Sequence, residues 1–306
     1  MISCVLSKKV TWKRSRLARC LLVAAIPFLV AEMLLSQEVG PTDGTLVLVG
    51  GAMRDPVIVE RFLVHAGGVN APIVVIPTAG GEDTYDQSWP GLRAFTNAGA
   101  ANVTVLHTSD RDVANSELFV SKLRRARGVW FGGGRQWRLV EAYLHTKVHD
   151  EIQGVLDRGG VVGGSSAGAT ILGSYLIRGD TRTNTIMMGD HEEGLGFLRG
   201  VGVDQHLLRR NRHADMLEVL RARPDLLGIG LDEDTAIVVT GDMFEIIGRS
   251  YVAIYDNQRS LDSGSLFYFL AAGDRYDMRS REPFRSGRDQ DSLDRLTKVP
   301  WPQLAR

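Results

Sequence analysis

Cysteine is almost absent from this sequence of 306 residues. The two that occur, Cys4 and Cys20, both lie near the N-terminus, in a segment that we interpret below as a leader. The body of the chain therefore has no thiol for a disulfide or for a cysteine nucleophile. Any catalytic chemistry there must use another side chain.

The chain also has no excess of charge, since 36 Lys and Arg residues balance 36 Asp and Glu residues. No block of like charge occurs in its body, so no field would draw the protein onto nucleic acid. It has no H-E-x-x-H, no paired metal-ligand spacing, and no G-x-G-x-x-G after its first β-like run. These absences predict no metal, no cofactor and no nucleic-acid partner.

The first 36 residues differ in kind from the rest. A basic stretch, KKVTWKRSRLAR, precedes sixteen largely apolar residues from Cys20 to Leu35. This order is typical of a secretory signal, although no clean A-x-A cleavage site follows. An uncleaved membrane anchor is the alternative, because the run is only slightly shorter than a spanning helix. We expect an exported protein, periplasmic or extracellular, with a linker over residues 37–44.

From residue 45 the sequence alternates short β-like runs with amphipathic segments. TLVLVGG, APIVVIP, NVTVLHT, RGVWFGGG and GVVGG are predicted strands, and PVIVERFLVHAGG is a predicted helix closed by glycine. This alternation predicts an α/β fold with a doubly wound, mostly parallel sheet flanked by helices.

Beyond about residue 225 the runs LLGIGLDED, TAIVVTG, MFEIIG and YVAIYD are joined by Gly, Asp and Asn turns. They predict an antiparallel C-terminal extension of the sheet. We expect one domain over residues 45–278 and a loosely ordered tail over 279–306, where charges mix without apolar periodicity.

The motif GGSSAGA contains G-x-S-x-G, from Gly164 to Gly168, between a predicted strand and an apolar segment. A serine on such a sharp turn is held in a strained backbone that presents its Oγ, and the neighbours must be small. A flexible connection or an anion-binding loop is the alternative. The placement favours Ser166 as a nucleophile.

A serine nucleophile needs a base, and the base needs an acid. Among the seven histidines, His206 is the best candidate, since it ends a predicted strand and would face the same rim as Ser166. His191 lies in a glycine-rich loop and is harder to dismiss as the base, whereas His213 would at best support the site from behind or face the substrate. The acid could come from Asp232, Glu233 or Asp234, at the end of another β-like run.

The order serine, histidine, acid differs from that of α/β-hydrolases. Together, GGSSAGA, FGGGRQ, DQHL followed by arginines, and GIGLDEDTA resemble the cyanophycinases and related aspartyl dipeptidases of the peptidase E type. These are serine peptidases with a fold like that of class I glutamine amidotransferases, which is flavodoxin-like. The resemblance covers about Thr45 to Met278.

The resemblance implies a role for each matching residue. Ser166 would be the nucleophile, His206 the base and Glu233 the acid, with oxyanion N–H groups from Gly134 and Ala167. It further implies substrate binding by a glutamine, an aspartate that contacts substrate or steadies the loop, and two arginines that grip a carboxylate; these are Gln136, Asp204, Arg210 and Arg212.

Two positions depart from the family pattern. Arg135 stands where these enzymes usually have an aspartate, and Asp215 stands where they commonly have a third arginine. Such changes could preserve the chemistry and alter which side chains are accepted.

The sequence thus predicts an exported serine exopeptidase acting on cyanophycin or β-aspartyl peptides. The alternatives are an α-aspartyl dipeptidase and a non-catalytic binding protein on the same fold. A glutamine amidotransferase-like enzyme is disfavoured, because those enzymes use cysteine. A homodimer is the default expectation for an oligomer.

Overall fold

The computed structural model describes residues 38–261, 263–286 and 296–298. The predicted leader and most of the predicted tail lie outside these residues. Within the described ranges, no helix combines the length and apolar character needed to cross a membrane.

The described strands fall into three sheets. In chain order they are β1 (Thr45–Val49), β2 (Ile73–Ile76), β3 (Val103–Val105), β4 (Gly128–Phe131), β5 (Val161–Ser165), β6 (Gly173–Tyr175), β7 (Leu198–Gln205), β8 (Leu227–Leu231), β9 (Thr235–Thr240), β10 (Met243–Gly248), β11 (Tyr251–Asp256), β12 (Arg259–Leu261), β13 (Tyr268–Ala271), β14 (Arg275–Asp277), β15 (Glu282–Phe284) and β16 (Leu296–Lys298).

The described helices are short, and single 3₁₀ turns occur at Thr78–Gly80, Pro90–Leu92 and Leu123–Arg125. In chain order the helices are α1 (Pro56–Ala66), α2 (Arg93–Thr96), α3 (Arg111–Ala114), α4 (Glu117–Val120), α5 (Gln136–Tyr143), α6 (Lys147–Asp157), α7 (Ala167–Thr170) and α8 (Met216–Ala222).

The main sheet has nine strands in the order β15-β14-β10-β9-β1-β5-β4-β2-β3. Neighbours from β1 to β3 in this order are parallel, as the βα alternation predicts. Neighbours from β15 to β1 are antiparallel. The sheet is buried on both faces, since Leu46 and Leu48 of β1 face one apolar layer and Val47 and Val49 face the other. This confirms the predicted fold class.

Helix α1 shows how local sequence sets an element's ends. Asp55 accepts a hydrogen bond from the N–H of Val57, Pro56 occupies the first turn, and Gly67 ends the helix with φ 100°. These are the expected start and stop signals. The helix packs Phe62 edge-on against Trp130 of β4 and thereby covers one face of the main sheet.

A second sheet has the order β13-β11-β8-β7-β6, with β6, β7 and β8 parallel. The prediction that the C-terminal runs extend one sheet is therefore wrong for β8 and β11, whereas β9 and β10 do join the main sheet. Strands β8 and β11 share an apolar layer with β1 and β9. The two sheets thus contribute side chains to one hydrophobic core. A run of buried residues does not reveal which sheet it belongs to.

The domain extends beyond both of its predicted boundaries. Within the predicted linker, the N–H of Val39 donates to Asp242 at 2.6 Å, and the carbonyl of Val39 accepts from the N–H of Arg199 at 2.7 Å. Past residue 278, β15 pairs with β14 in the main sheet. Both described ends of the domain are therefore hydrogen-bonded to residues within the predicted bounds, 45–278.

Candidate active site

Ser166 follows β5 directly and has φ 56° and ψ −116°. A non-glycine residue in this region is strained by about 1–3 kcal/mol, and such strain persists only where the surroundings hold it. Here the N–H of Ser166 donates to the carbonyl of Val49 on β1 at 2.9 Å. The apolar segment after the serine forms only one helical turn, α7, before the chain enters β6.

The glycines of G-x-S-x-G have a packing reason. A Cβ at Gly164 would lie 2.2 Å from the carbonyl oxygen of Gly168, and a Cβ at Gly168 would lie 2.2 Å from that of Phe131. Backbones on both sides of the turn therefore approach too closely for any side chain. The motif is a steric requirement of the Ser166 turn.

His206 follows β7 of the second sheet, so the nucleophile and base candidates come from different sheets. Nε2 of His206 lies 2.9 Å from Oγ of Ser166. The N–H of His206 donates to the carbonyl of Gly50, which follows β1 of the main sheet. This contact joins the two sheets beside Ser166.

Of the three consecutive acids after β8, only Glu233 bonds to His206. Its Oε1 lies 2.8 Å from Nδ1 of the imidazole. Asp232 accepts from the N–H groups of Leu208 and Arg209 and from the hydroxyl of Ser250. Asp234 accepts from the backbone and side chain of Arg54. The two neighbours thus hold loops, and Glu233 faces the histidine.

Burial lowers the pKa of His206 below 6.5, and the positive charges of Arg210 and Arg212 lower it further. The hydrogen bond and charge of Glu233 oppose this shift. The imidazole is therefore neutral at pH 7, which leaves one ring nitrogen able to accept a proton.

The backbone N–H groups of Gly134 and Ala167 make no hydrogen bond to any described residue. Ala167 is the first residue of α7, and Gly134 lies in the loop after β4. In the same loop, a Cβ at Gly133 would lie 3.9 Å from Oγ of Ser166. Both predicted oxyanion donors therefore belong to segments that adjoin Ser166 and are unpaired within the described chain.

Two of the predicted substrate-contacting side chains, Gln136 and Asp204, are fully buried. The amide nitrogen of Gln136 donates to the carbonyls of Ile177 and Arg178. Both carboxylate oxygens of Asp204 accept from the guanidinium of Arg178 at 2.9 Å. These bonds connect Asp204 to Arg178 in the segment after β6.

The predicted carboxylate-binding arginines differ in burial. Arg210 is exposed, and its N–H donates to the carbonyl of His206. Arg212 is only 8% exposed and donates to the carbonyl and side-chain oxygens of Gln205. Both charges act on the pKa of His206, so both lie on the histidine side of the site.

The two departures from the family pattern are engaged by protein groups. Arg135 donates to the carbonyls of Asp180 and Thr183, in the loop after β6. Asp215 lies 2.6 Å from a guanidinium nitrogen of Arg178. Sequence reasoning missed Arg178, whose only signal was an arginine at the end of the apolar run SYLI.

The remaining candidate histidines lie elsewhere. His191 lies 3.3 Å from a carboxylate oxygen of Glu141, and the ring of His213 lies beside Phe267. Neither is bonded to Ser166. Across the described residues, no three His, Cys, Asp or Glu side chains are grouped as a metal ion would require.

Comparison with known proteins gives matches over most of the chain. Peptidase family S51 matches residues 46–247 of the chain. The cyanophycinase of Synechococcus elongatus is 32% identical over 261 residues, which cover 78% of this chain and 80% of the relative. The cyanophycinase of Geminocystis herdmanii is 33% identical over 261 residues, which cover 78% of this chain and 95% of the relative.

Two solved structures share the fold. A peptidase from an acI-B1 actinobacterium superimposes with a TM-score of 0.61 at 24% identity, covering 78% of this chain and 98% of that one. A putative peptidase E from Listeria monocytogenes gives 0.51 at 17% identity, covering 68% and 99%. At these identities the likeness concerns the fold.

Proposed function

The chain belongs to peptidase family S51 and is a serine-type peptidase, and we propose that it is an exported exopeptidase that hydrolyses cyanophycin or β-aspartyl peptides. The observation that carries the proposal is a pair of hydrogen-bond contacts that link Ser166, His206 and Glu233. Oγ of Ser166 lies 2.9 Å from Nε2 of His206, and Nδ1 of the same ring lies 2.8 Å from Oε1 of Glu233.

In the first half-reaction, Oγ of Ser166 attacks the carbonyl carbon of an aspartyl unit while Nε2 of His206 takes its proton. The carboxylate of Glu233 stabilises the imidazolium that forms. The N–H groups of Gly134 and Ala167 donate to the oxyanion of the tetrahedral intermediate. The imidazolium then protonates the leaving amine, which departs and leaves an acyl-enzyme on Ser166.

In the second half-reaction, His206 removes a proton from water, and the hydroxide attacks the acyl carbon. Collapse of the second tetrahedral intermediate expels Oγ of Ser166, which regains its proton from His206. The neutral imidazole of the resting site suits this role, because its lowered pKa keeps it unprotonated at pH 7.

Substrate recognition rests on the arginines beside His206. A guanidinium grips a carboxylate through two parallel hydrogen bonds, and aspartyl peptides present free carboxylates. Arg210 and Arg212 would supply these contacts. The curated relatives are cyanophycinases, which supports an aspartyl polymer as substrate.

Export rests on the N-terminal sequence alone, with its basic stretch followed by an apolar run. Fusion of residues 1–44 to a reporter that is active only outside the cytoplasm tests it. An active reporter with a shortened fusion supports cleaved export, and an active reporter of full length in the membrane fraction indicates an anchor.

The test of the activity is product release by the chain from Glu38 onward. Cyanophycin, β-aspartyl-arginine and a set of α-aspartyl dipeptides are incubated with this protein and with its Ser166→Ala variant. Serine-dependent release of β-aspartyl-arginine from the polymer is the expected result. Turnover of α-aspartyl dipeptides alone would move the assignment to an aspartyl dipeptidase, and no serine-dependent cleavage would favour a binding protein.

A further inference from the structure

Arg178 is a buried arginine whose hydrogen-bonding capacity is fully used. It is 1% exposed, and a guanidinium has five N–H donors. Nε and Nη2 each donate to one oxygen of Asp204 at 2.9 Å, and Nη2 also donates to Asp215 at 2.6 Å. Nη1 donates to the carbonyls of Asn184 and Thr185 at 3.2 and 3.4 Å. Each donor thus has an acceptor.

Arg212 lies beside the same carboxylate but is not paired with it. Its Nη1 is 3.9 Å from the Oδ1 of Asp204, beyond hydrogen-bond distance. Its described acceptors are neutral: the two oxygens of Gln205 and the carbonyl of Asn184. Two of its five donors have no acceptor among the described residues.

Arg212 is therefore a buried cation without a directly bonded anion. Burial lowers its pKa to about 10, and the positive charge of Arg178 contributes, whereas the charges of Asp204 and Asp215 oppose the shift. A buried guanidinium in this state gains most from an incoming carboxylate. Asp204 could satisfy it but is held by Arg178.

We propose that Arg178 is a positioning residue that sets the substrate preference of this site, because it occupies Asp204 and so keeps Arg212 available for a carboxylate of the substrate. The inference rests on the proposed function, since it assigns a role within the same aspartyl-peptide site. It also gives a role to Asp215, whose carboxylate accepts a hydrogen bond from Arg178.

Without Arg178, Asp204 would be a buried carboxylate with one cation in reach. Because an unpaired buried charge is costly, Asp204 would close the gap to Arg212 and pair with it. The anion site would then be filled from within the protein. Binding of a carboxylate-bearing substrate would weaken, whereas an uncharged analogue would be affected little.

The experiment measures binding in the full chain with Ser166→Ala, so that no substrate is consumed. Calorimetry compares β-aspartyl-arginine with its diamide, in which both free carboxylates are amides. In the Arg178→Met variant we expect the Kd of the dipeptide to rise about tenfold or more, the scale of a hydrogen bond to a charged group. The Kd of the diamide should change less than about threefold.

Two further variants separate this role from a merely structural one. In Arg178→Met with Asp204→Asn, the buried carboxylate that lies 3.9 Å from Arg212 is removed, and the remaining carboxylate of Asp215 is partly exposed to solvent, so most of the lost affinity should return. Asp215→Asn is the matched control, because it removes one partner of Arg178 but leaves Asp204 occupied; we expect its Kd to stay within about threefold. If Arg178→Met does not fold, the double variant and Arg178→Lys are compared with the parent protein instead. We expect Arg178→Lys to lose less affinity for the dipeptide than Arg178→Met.

Equal losses for the dipeptide and the diamide would overturn the inference, as would failure of the double variant to recover affinity. A failure of the proposed function gives a different pattern. In that case the Ser166→Ala protein with Arg178 intact binds neither ligand, which would overturn the aspartyl assignment and this inference with it.

Discussion

Gly51 lies directly against the imidazole of His206. A Cβ at this position would lie 2.3 Å from Cε1 of the ring and 2.6 Å from Nδ1, and the backbone has φ 136°. The adjacent Gly50 accepts a hydrogen bond from the N–H of His206. The loop after β1 therefore sets the position of the ring between Ser166 and Glu233.

The first prediction follows from this contact. Gly51→Ala should displace the imidazole and lower kcat by about 100-fold, the usual effect of a misplacement of about 1 Å at a reacting group. Gly68→Ala is the matched control, since Gly68 also has a positive φ, of 100°, but has open space around it. Steady-state kinetics check both variants. Equal kcat values would show that the ring position does not depend on Gly51.

Among the three consecutive acids after β8, Glu233 should affect catalysis and Asp232 should affect stability. Glu233→Gln should lower kcat by about ten-thousand-fold with little change in stability, because the amide no longer supports the imidazolium. Asp232→Asn should instead cost about 1–3 kcal/mol of unfolding free energy, because a buried carboxylate with three donors is replaced. Kinetics and urea unfolding distinguish the two. A large kcat loss at Asp232 with Glu233→Gln active would reverse the assignment.

The pH dependence of kcat/KM should report His206. The base must be neutral, and its pKa lies below 6.5 because of burial and the charges of Arg210 and Arg212. Activity should therefore rise with pH through a midpoint below 6.5. Arg210→Gln removes a charge that lowers the pKa, so the midpoint should move upward. Arg209→Gln, a neighbouring exposed arginine, should leave the midpoint in place. If neither substitution moves the midpoint, the acidic limb of the kcat/KM profile reports a group other than His206.

Arg135 should act on the loop after β6. It donates to the carbonyls of Asp180 and Thr183, so Arg135→Asp, which restores the residue usual in the family, should release this loop. We expect faster tryptic cleavage after Arg182, whose side chain is 75% exposed, and a higher KM. Mass spectrometry of the fragments measures the cleavage. Arg124→Gln, at an arginine paired only with exposed or half-buried acids, is the control and should change neither quantity. Unchanged cleavage in Arg135→Asp would show that the loop is held by other contacts.

Much of the local structure could be predicted from the sequence. The start and end of α1 follow from Asp55, Pro56 and Gly67, and the turn at Ser166 follows from small residues on either side of it. These features depend on neighbours within a few residues. Backbone sterics and short-range hydrogen bonds act over that range, so residue type alone predicts them.

The distribution of strands between two sheets could not be predicted. Strands β8 and β9 are separated by three residues, are both rich in buried residues, and yet enter different sheets. Hydrophobic pattern indicates that a strand is buried but not which apolar layer it shares. As a result, His206 and Ser166 meet across a junction of two sheets, where one rim of a single sheet was predicted.

The cysteine-free α/β domain and the strained serine turn follow from composition and local sterics, which are properties of the chain. Which acid faces His206, and which partners Arg135 and Asp215 bind, depends on contacts that form only on folding. Arg178 and Asp215 are 37 residues apart, yet their side chains lie 2.6 Å apart. Whether a charge faces a ligand or a buried partner depends on which distant residue folding brings beside it, and residue type does not carry that information.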